Sequence, residues 1–198
     1  KGETELSIFT VPMGNYVELT GLKVCVSSWR RTPDNAIPAR AKCTGSYVNT
    51  ALAVDEAHMA GYDDAIFLTQ DGQVSEASAA NIFLVRKGQL ITPPVTADIL
   101  EGITRDAVME LSGKELGMPV IEREVGRTEL YAADEVFLSG TGFQIAPVIE
   151  VDDRPVGTGS IGPVAERLQE LYFKAARGEW EEYADWTVAI EVAERAAG

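Results

Sequence analysis

Lys42 lies in "PARAKCTGSY", residues 38–47, between Ala41 and Cys43 and ahead of Gly45 and Tyr47. An amine flanked by small side chains leaves room for a planar ligand, and withdrawal from water would lower its basicity toward nucleophilic use. Most lysines, by contrast, are solvated surface charges. Glu76 is a second candidate: it follows a turn at Asp71-Gly72, and Ala77, Ser78, Ala79 and Ala80 after it leave space. An exposed hairpin carboxylate would look the same. Two short glycine segments complete the set. Gly102, Ile103 and Thr104 fall at an expected helix start, where free N–H groups and the positive dipole end attract an anion. Gly140, Thr141 and Gly142 end an expected strand and offer further N–H groups and a hydroxyl. Together they suit a small phosphate, although an N-cap and a tight turn also account for them.

Other chemistries lack their residues. His58 is the single histidine, so no Ser-His-Asp arrangement is available, and Cys25 and Cys43 form no CxxC or Cys/His ligand spacing. No metal site is expected. "GITR" and "SGTG" lack the lysine and spacing of a Walker sequence, and no GxGxxG opens a βα unit. With 17 basic against 31 acidic residues, a formal charge of -14 argues against a nucleic-acid partner. No apolar run reaches the roughly 20 residues of a membrane span, and no charged-then-apolar leader is present. The expected setting is a reducing cytoplasm. The sequence does not begin with methionine, and strand-like "ELSIFTV" follows almost at once, so a fragment of a longer protein is expected.

The elements that must position these groups follow from local patterns. Strands are expected over residues 5–12 and 22–29, a junction at "MGNY", a loop over Pro33–Pro38, and a helix from Tyr47 to Met59 stopped by Gly61. Its apolar face would comprise Ala51, Leu52, Val54, Ala57 and Met59. Residues 65–94 read as an antiparallel meander with turns at Asp71-Gly72 and Lys87-Gly88. Thr104 is the expected N-cap of a helix using Ala107, Val108 and Leu111 and ending near Gly117. Then come a strand in "PVIEREV", a short helix in "RTELYAAD", a strand in "EVFLSGTG", a hairpin in "QIAPVIEVDDRPVG" and a helix from Pro163 to about Arg177. Residues 179–198 are either helical or frayed. Runs of strands with grouped helices indicate an α+β domain.

In this order, "VSSWRR", "IPARAKCTGSY", "VSEASAANIF", "TPPVTADILEGITRDAV", "LYAADEVFLSGTG", "IAPV" and "GPVAERLQ" closely resemble the fold type IV pyridoxal-phosphate aminotransferases, in particular the branched-chain amino-acid aminotransferases. The resemblance covers nearly the whole chain. It implies the family's large domain, a mixed, mainly antiparallel sheet curled into a pseudo-barrel with surrounding helices, over residues 19–198. Residues 1–18 would be a remnant of the small N-terminal domain and linker. It further implies pyridoxal 5'-phosphate as cofactor, with Lys42 as the catalytic residue forming a Schiff base to the aldehyde and Tyr47 hydrogen-bonded to the phenolic oxygen. Glu76 would face the pyridine nitrogen and Leu100 would pack on the ring. Gly102, Ile103, Thr104 and Thr141 would hold the phosphate, and the backbone at Thr141 and Gly142 the substrate carboxylate. The implied reaction exchanges amino groups between branched-chain L-amino acids and 2-oxoglutarate, in a homo-oligomer. Alternatives are a D-amino-acid aminotransferase, an aminodeoxychorismate lyase, or a non-catalytic assembly fragment. One departure is "CTGSY", where the family more often carries a second glycine and asparagine.

Overall fold

In the computed structural model, residues 4–12, 14 and 16–190 are described. Nine strands and four α-helices follow the order β1 Leu22–Arg30, α1 Tyr47–Met59, β2 Asp64–Leu68, β3 Val74–Ala77, β4 Asn81–Arg86, β5 Gln89–Thr92, α2 Ile103–Glu115, β6 Ile121–Glu122, α3 Arg127–Leu130, β7 Glu135–Gly140, β8 Gln144–Val151, β9 Arg154–Pro155 and α4 Pro163–Ala176. The strands form one sheet in the order β3-β2-β1-β8-β7-β4-β5-β6, with β9 beside β8. Pairs β1–β2, β1–β8 and β5–β6 are parallel, and the rest are antiparallel. The sheet curls until its ends meet: Gln73, just before β3, bridges Gly126, just after β6. There the Val74 N–H donates to the Val125 carbonyl at 2.8 Å. This is the expected pseudo-barrel.

Two buried faces on strands such as β2, β4 and β7 explain their near-continuous hydrophobic runs. Along β4, Ile82 and Leu84 join the inner core with Val24, Ile66, Leu138 and Val148. Their neighbours Phe83 and Val85 face outward against Val108 and Leu111 of α2 and Leu168 and Leu171 of α4. Period-two alternation thus feeds two cores at once. Phe83 and Phe137 lie opposite in register and stack with centroids 5.1 Å apart. A third cluster seats Ala53 and Ala57 of α1 on Ala65 and Phe67 of β2; alanines spaced i,i+4 let the helix come close.

Several expectations require correction. Residues 5–12 form no strand; Leu6, Ile8, Phe9 and Val11 are exposed, with no neighbouring strand to supply backbone partners. The meander breaks between β3 and β4, because β4 pairs with β5 and β7 and not with β3. A turn closed by the Ala77 N–H to the Ala80 carbonyl carries the chain across. On α1, Ala51, Leu52 and Met59 are exposed, and Ala53 does the packing instead. The N-cap of α2 is Gly102, two residues before Thr104. The strand in "PVIEREV" shrinks to Ile121–Glu122. In the tail, a 3-10 turn at Glu181–Trp186 buries Tyr183, whose hydroxyl donates to Glu115 at 2.8 Å; residues 191–198 lie outside the described residues. No helix among the described residues is long and apolar enough to cross a membrane.

Candidate active site

Strand ends and the loops between them converge on one cavity of about 250 Å3. Lys42, Tyr47, Glu76, Leu100, Gly102, Ile103, Thr104 and Thr141 all line it. Gly142 is not among the lining residues; a side chain there would meet the ring of Tyr16 at 3.1 Å. The site therefore gathers residues separated by as much as a hundred positions, as the order of the strands requires.

Lys42 comes from the loop after β1. Pro33 and Pro38 prevent that loop from continuing the strand, and a 3-10 turn at Thr44–Ser46 leads directly into α1. Tyr47, the first residue of α1, accepts a hydrogen bond from the Lys42 amine at 2.8 Å. Ala41, Lys42, Cys43 and Gly45 are all exposed. The small neighbours thus leave the amine open on one side, and the described chain does not supply the withdrawal from water anticipated for it.

Glu76 contrasts with it. It lies in β3 and is almost wholly buried, so an exposed hairpin carboxylate is ruled out. Oε1 pairs with the Arg31 guanidinium at 2.6 Å. Oε2 accepts the Leu100 N–H and the Asn81 side-chain amide, each at 3.1 Å. Burial pushes the Glu76 carboxyl up to about 7, against the pull of Arg31, the Leu100 N–H and Lys42. Arg31 and Asn81 escaped sequence reasoning from residue types. An arginine directly after a strand ordinarily reads as a surface charge, and the only pointer to it was its place in "VSSWRR".

The other wall is an open anion cradle. The α2 N-terminus starts at Gly102 without a side-chain cap, leaving its first N–H groups available. A β-carbon at Gly102 would collide with Asn81 Oδ1, so a larger residue would have to displace the amide that holds Glu76. At Gly140 a β-carbon would meet the Ala79 carbonyl at 3.1 Å. Immediately before Gly140, Ser139 is completely buried, lines the cavity, and has no partner for its hydroxyl among the described residues. An amine, a buried carboxylate and an uncapped helix end in one cavity can hold a flat, phosphorylated aldehyde by three distinct chemistries. Among the described residues, no group of three or more His, Cys, Asp or Glu is placed to hold a metal.

Comparison with known proteins bears on the family and the fold. The profile of the amino-transferase class IV family matches residues 2–151. A probable branched-chain-amino-acid aminotransferase of Aquifex aeolicus is 49% identical over 187 residues, covering 94% of this chain and 60% of that protein. The branched-chain-amino-acid aminotransferase of Salmonella typhimurium is 43% identical over 187 residues, covering 92% of this chain and 60% of that protein. Among solved structures, a branched-chain aminotransferase from Thermoproteus uzoniensis with norvaline superposes with a TM-score of 0.85 at 44% identity, over 89% of this chain and 58% of that one. The Thermobaculum terrenum enzyme in its PLP form gives 0.84 at 42% identity, over 88% and 57%. The chain spans about 60% of the length of the curated relatives it matches. Its curled α+β sheet is that of the fold type IV enzymes, and the chain belongs to the class IV aminotransferase family.

Proposed function

We propose that the protein is a pyridoxal-phosphate-dependent aminotransferase exchanging amino groups between branched-chain L-amino acids and 2-oxoglutarate. The observation that carries this reading is the convergence of Lys42, buried Glu76 and the uncapped α2 N-terminus on one cavity. The residues fit the cofactor on three counts. The orphaned Ser139 hydroxyl lies beside the cradle, glycine at 102 keeps the helix end clear, and the carboxylate at 76 is held in a fixed orientation.

When bound, pyridoxal phosphate supplies an electron-withdrawing ring conjugated to the substrate's amino-bearing carbon. Lys42 would make the covalent bond to the aldehyde carbon, and Tyr47 fixes the amine's direction from the adjoining helix. With its amine free, Lys42 would be the positioned base that takes the proton from the substrate Cα. Glu76 would accept a hydrogen bond from the pyridine N–H. A cation beside this carboxylate favours its charged form, while Arg31, Asn81 and the Leu100 N–H keep it from turning away. Leu100 would pack on the ring. The N–H groups of Ile103 and Thr104, with the Thr104 and Thr141 hydroxyls, would hold the phosphate by charge-assisted hydrogen bonds. The backbone at Thr141 and Gly142 would hold the substrate carboxylate. We further read the working form as a homo-oligomer, which light scattering tests; an active monomer would contradict it.

The decisive experiment is chemical. The protein incubated with pyridoxal phosphate should become yellow, and borohydride should bleach it and fix the label on the peptide containing Lys42. Lys42→Ala should take no fixed label and transfer no amino group from leucine to 2-oxoglutarate. Label found on a different lysine would overturn the reading.

A further inference from the structure

The wall that carries Lys42 has no apolar anchor of its own. From Asp34 to Gly45 not one residue is buried. Loops of this kind sit at the low-stability end of a fold, because few apolar contacts oppose their opening. Their position must then come from polar ties. Within the loop, the Asp34 carboxylate accepts the Ala39 N–H at 2.9 Å. Toward the segment that precedes α2, the Asp34 N–H donates to Asp98 Oδ1 at 2.9 Å, and Arg40 Nε pairs with Glu101 Oε1. Arg40 also stands 3.9 Å from Asp34. Asp98 adopts the left-handed conformation with φ 57. Its side chain meets Asp34 while its carbonyl accepts Arg31 Nε at 3.3 Å. The segment receiving these ties leads through Leu100 straight into the Gly102 cradle.

We propose that Asp34, Arg40 and Glu101 form a polar brace that holds the Lys42 loop at a set distance from the α2 N-terminus, and that ionic strength tunes cofactor retention through it. The proposal rests on the pyridoxal-phosphate reading above, since retention depends on Lys42 and the cradle being engaged together. Arg40 is a positioning residue and does not line the cavity. Its partners Asp34 and Glu101 are about half exposed, as is Arg40 itself, so added salt weakens the pair. The structure thus joins a covalent anchor and an anion site by a link that salt can loosen. Without the brace, either half still forms, but the two are no longer fixed relative to each other.

The test is a double-mutant cycle with Arg40→Gln, Glu101→Gln and the double variant, in the protein expressed from its complete reading frame. Two quantities are read at about 0.02 M and about 0.5 M salt, on either side of a Debye length near 10 Å. The first is the rate of pyridoxal phosphate loss, followed by the visible absorbance. The second is hydrogen exchange of residues 34–43 in the cofactor-free protein. At low salt each single variant should release cofactor about threefold faster, with the double variant no worse than the singles. Arg40→Lys should recover part of the loss. Exchange in the loop should rise in the variants, and high salt should bring the wild type to the same level. Equal loop exchange in wild type and Arg40→Gln at both salts would overturn the brace, as would additive effects of the two substitutions on release. If the wild type takes up no cofactor while loop exchange still responds to salt and to Arg40→Gln, the pyridoxal-phosphate reading fails and the brace stands as a contact without its assigned role in retention.

Discussion

Glu76→Gln removes one charge of a buried pair and leaves the other behind. Both side chains of the Arg31–Glu76 pair are at most a tenth exposed, so solvent screening is slight. After the substitution an amide oxygen can still accept from the guanidinium, but the counter-charge is gone, and the other contacts are the neutral Asp98 carbonyl at 3.3 Å and the Phe67 ring at 5.5 Å. Breaking a buried pair from one side costs about 3–5 kcal/mol, a large share of the roughly 5–15 kcal/mol by which a domain is stable. At this chain length that is a fall of roughly 6–20 °C in Tm. Arg31→Met strands the carboxylate instead. Its pKa already stands at about 7 because of burial, so it escapes part of the cost by protonating, and this variant should be weaker at pH 8 than at pH 6. The double variant Arg31→Met with Glu76→Gln has no stranded charge and should return to within about 2 kcal/mol of wild type. Urea denaturation of the cofactor-free protein, compared at constant m, measures all four. Single effects that add to within about 0.5 kcal/mol in the double variant would refute the argument. On the pyridoxal-phosphate reading proposed above, the cycle also bears on mechanism: a slow half-reaction in Glu76→Gln alone would report lost electron withdrawal and a disturbed wall together, and the double variant would separate them.

Asp64 should make stability fall as pH rises. It is buried, its Oδ2 has no partner among the described residues, and burial pushes its carboxyl from 3.8 up to about 6. Between those values the unfolded chain has lost a proton that the folded chain retains, so the contribution is present below about pH 4 and lost by about pH 6. Asp64→Asn should flatten that part of a pH series of urea midpoints, and an unchanged slope would count against it. Glu135 caps α4 from a distance: its carboxylate accepts the Val164 and Ala165 N–H groups at 3.1 and 2.9 Å, where the N-cap Gly162 offers no side chain. Glu135→Ala should cost about 2 kcal/mol, with hydrogen exchange rising first in α4; a uniform loss without that local signature would contradict a capping role.

Element types were largely legible because they depend on neighbours in the sequence. Tyr47–Met59 is helical from end to end, and Asp71-Gly72 and Lys87-Gly88 close the hairpins β2–β3 and β4–β5. Pairing between distant strands was not legible. Nothing local in "ASAAN" says that the chain leaves one part of the sheet at β3 and re-enters it next to β7, since that choice is made by inner-face residues such as Ile82 and Leu138, which sit side by side on the paired strands β4 and β7 in the inner core. The alternation in residues 5–12 misled for the converse reason. Period two marks a strand only when another strand supplies backbone partners, and those residues are exposed.

The site shows the same division in electrostatic terms. Lys42, Glu76 and the glycine segments could be picked out by type and surroundings, but their convergence came from family resemblance. Local rules even pointed the wrong way at α2. A helix start ordinarily favours a hydroxyl or carboxylate cap, which made Thr104 the expected N-cap. The helix instead begins at Gly102, because a capping side chain there would occupy the approach beside Asn81 and satisfy the N–H groups that the cradle leaves open. Arg31 was invisible for a related reason: charged residues read as surface, and this one is buried only because it faces a carboxylate 45 positions later in the chain. At the uncapped α2 start and the buried Arg31–Glu76 pair, which the proposed function uses to bind an anion and to hold a carboxylate, the sequence departs from the rules that favour stability. Those departures, more than the residues that obey the rules, mark the functional wall of this barrel.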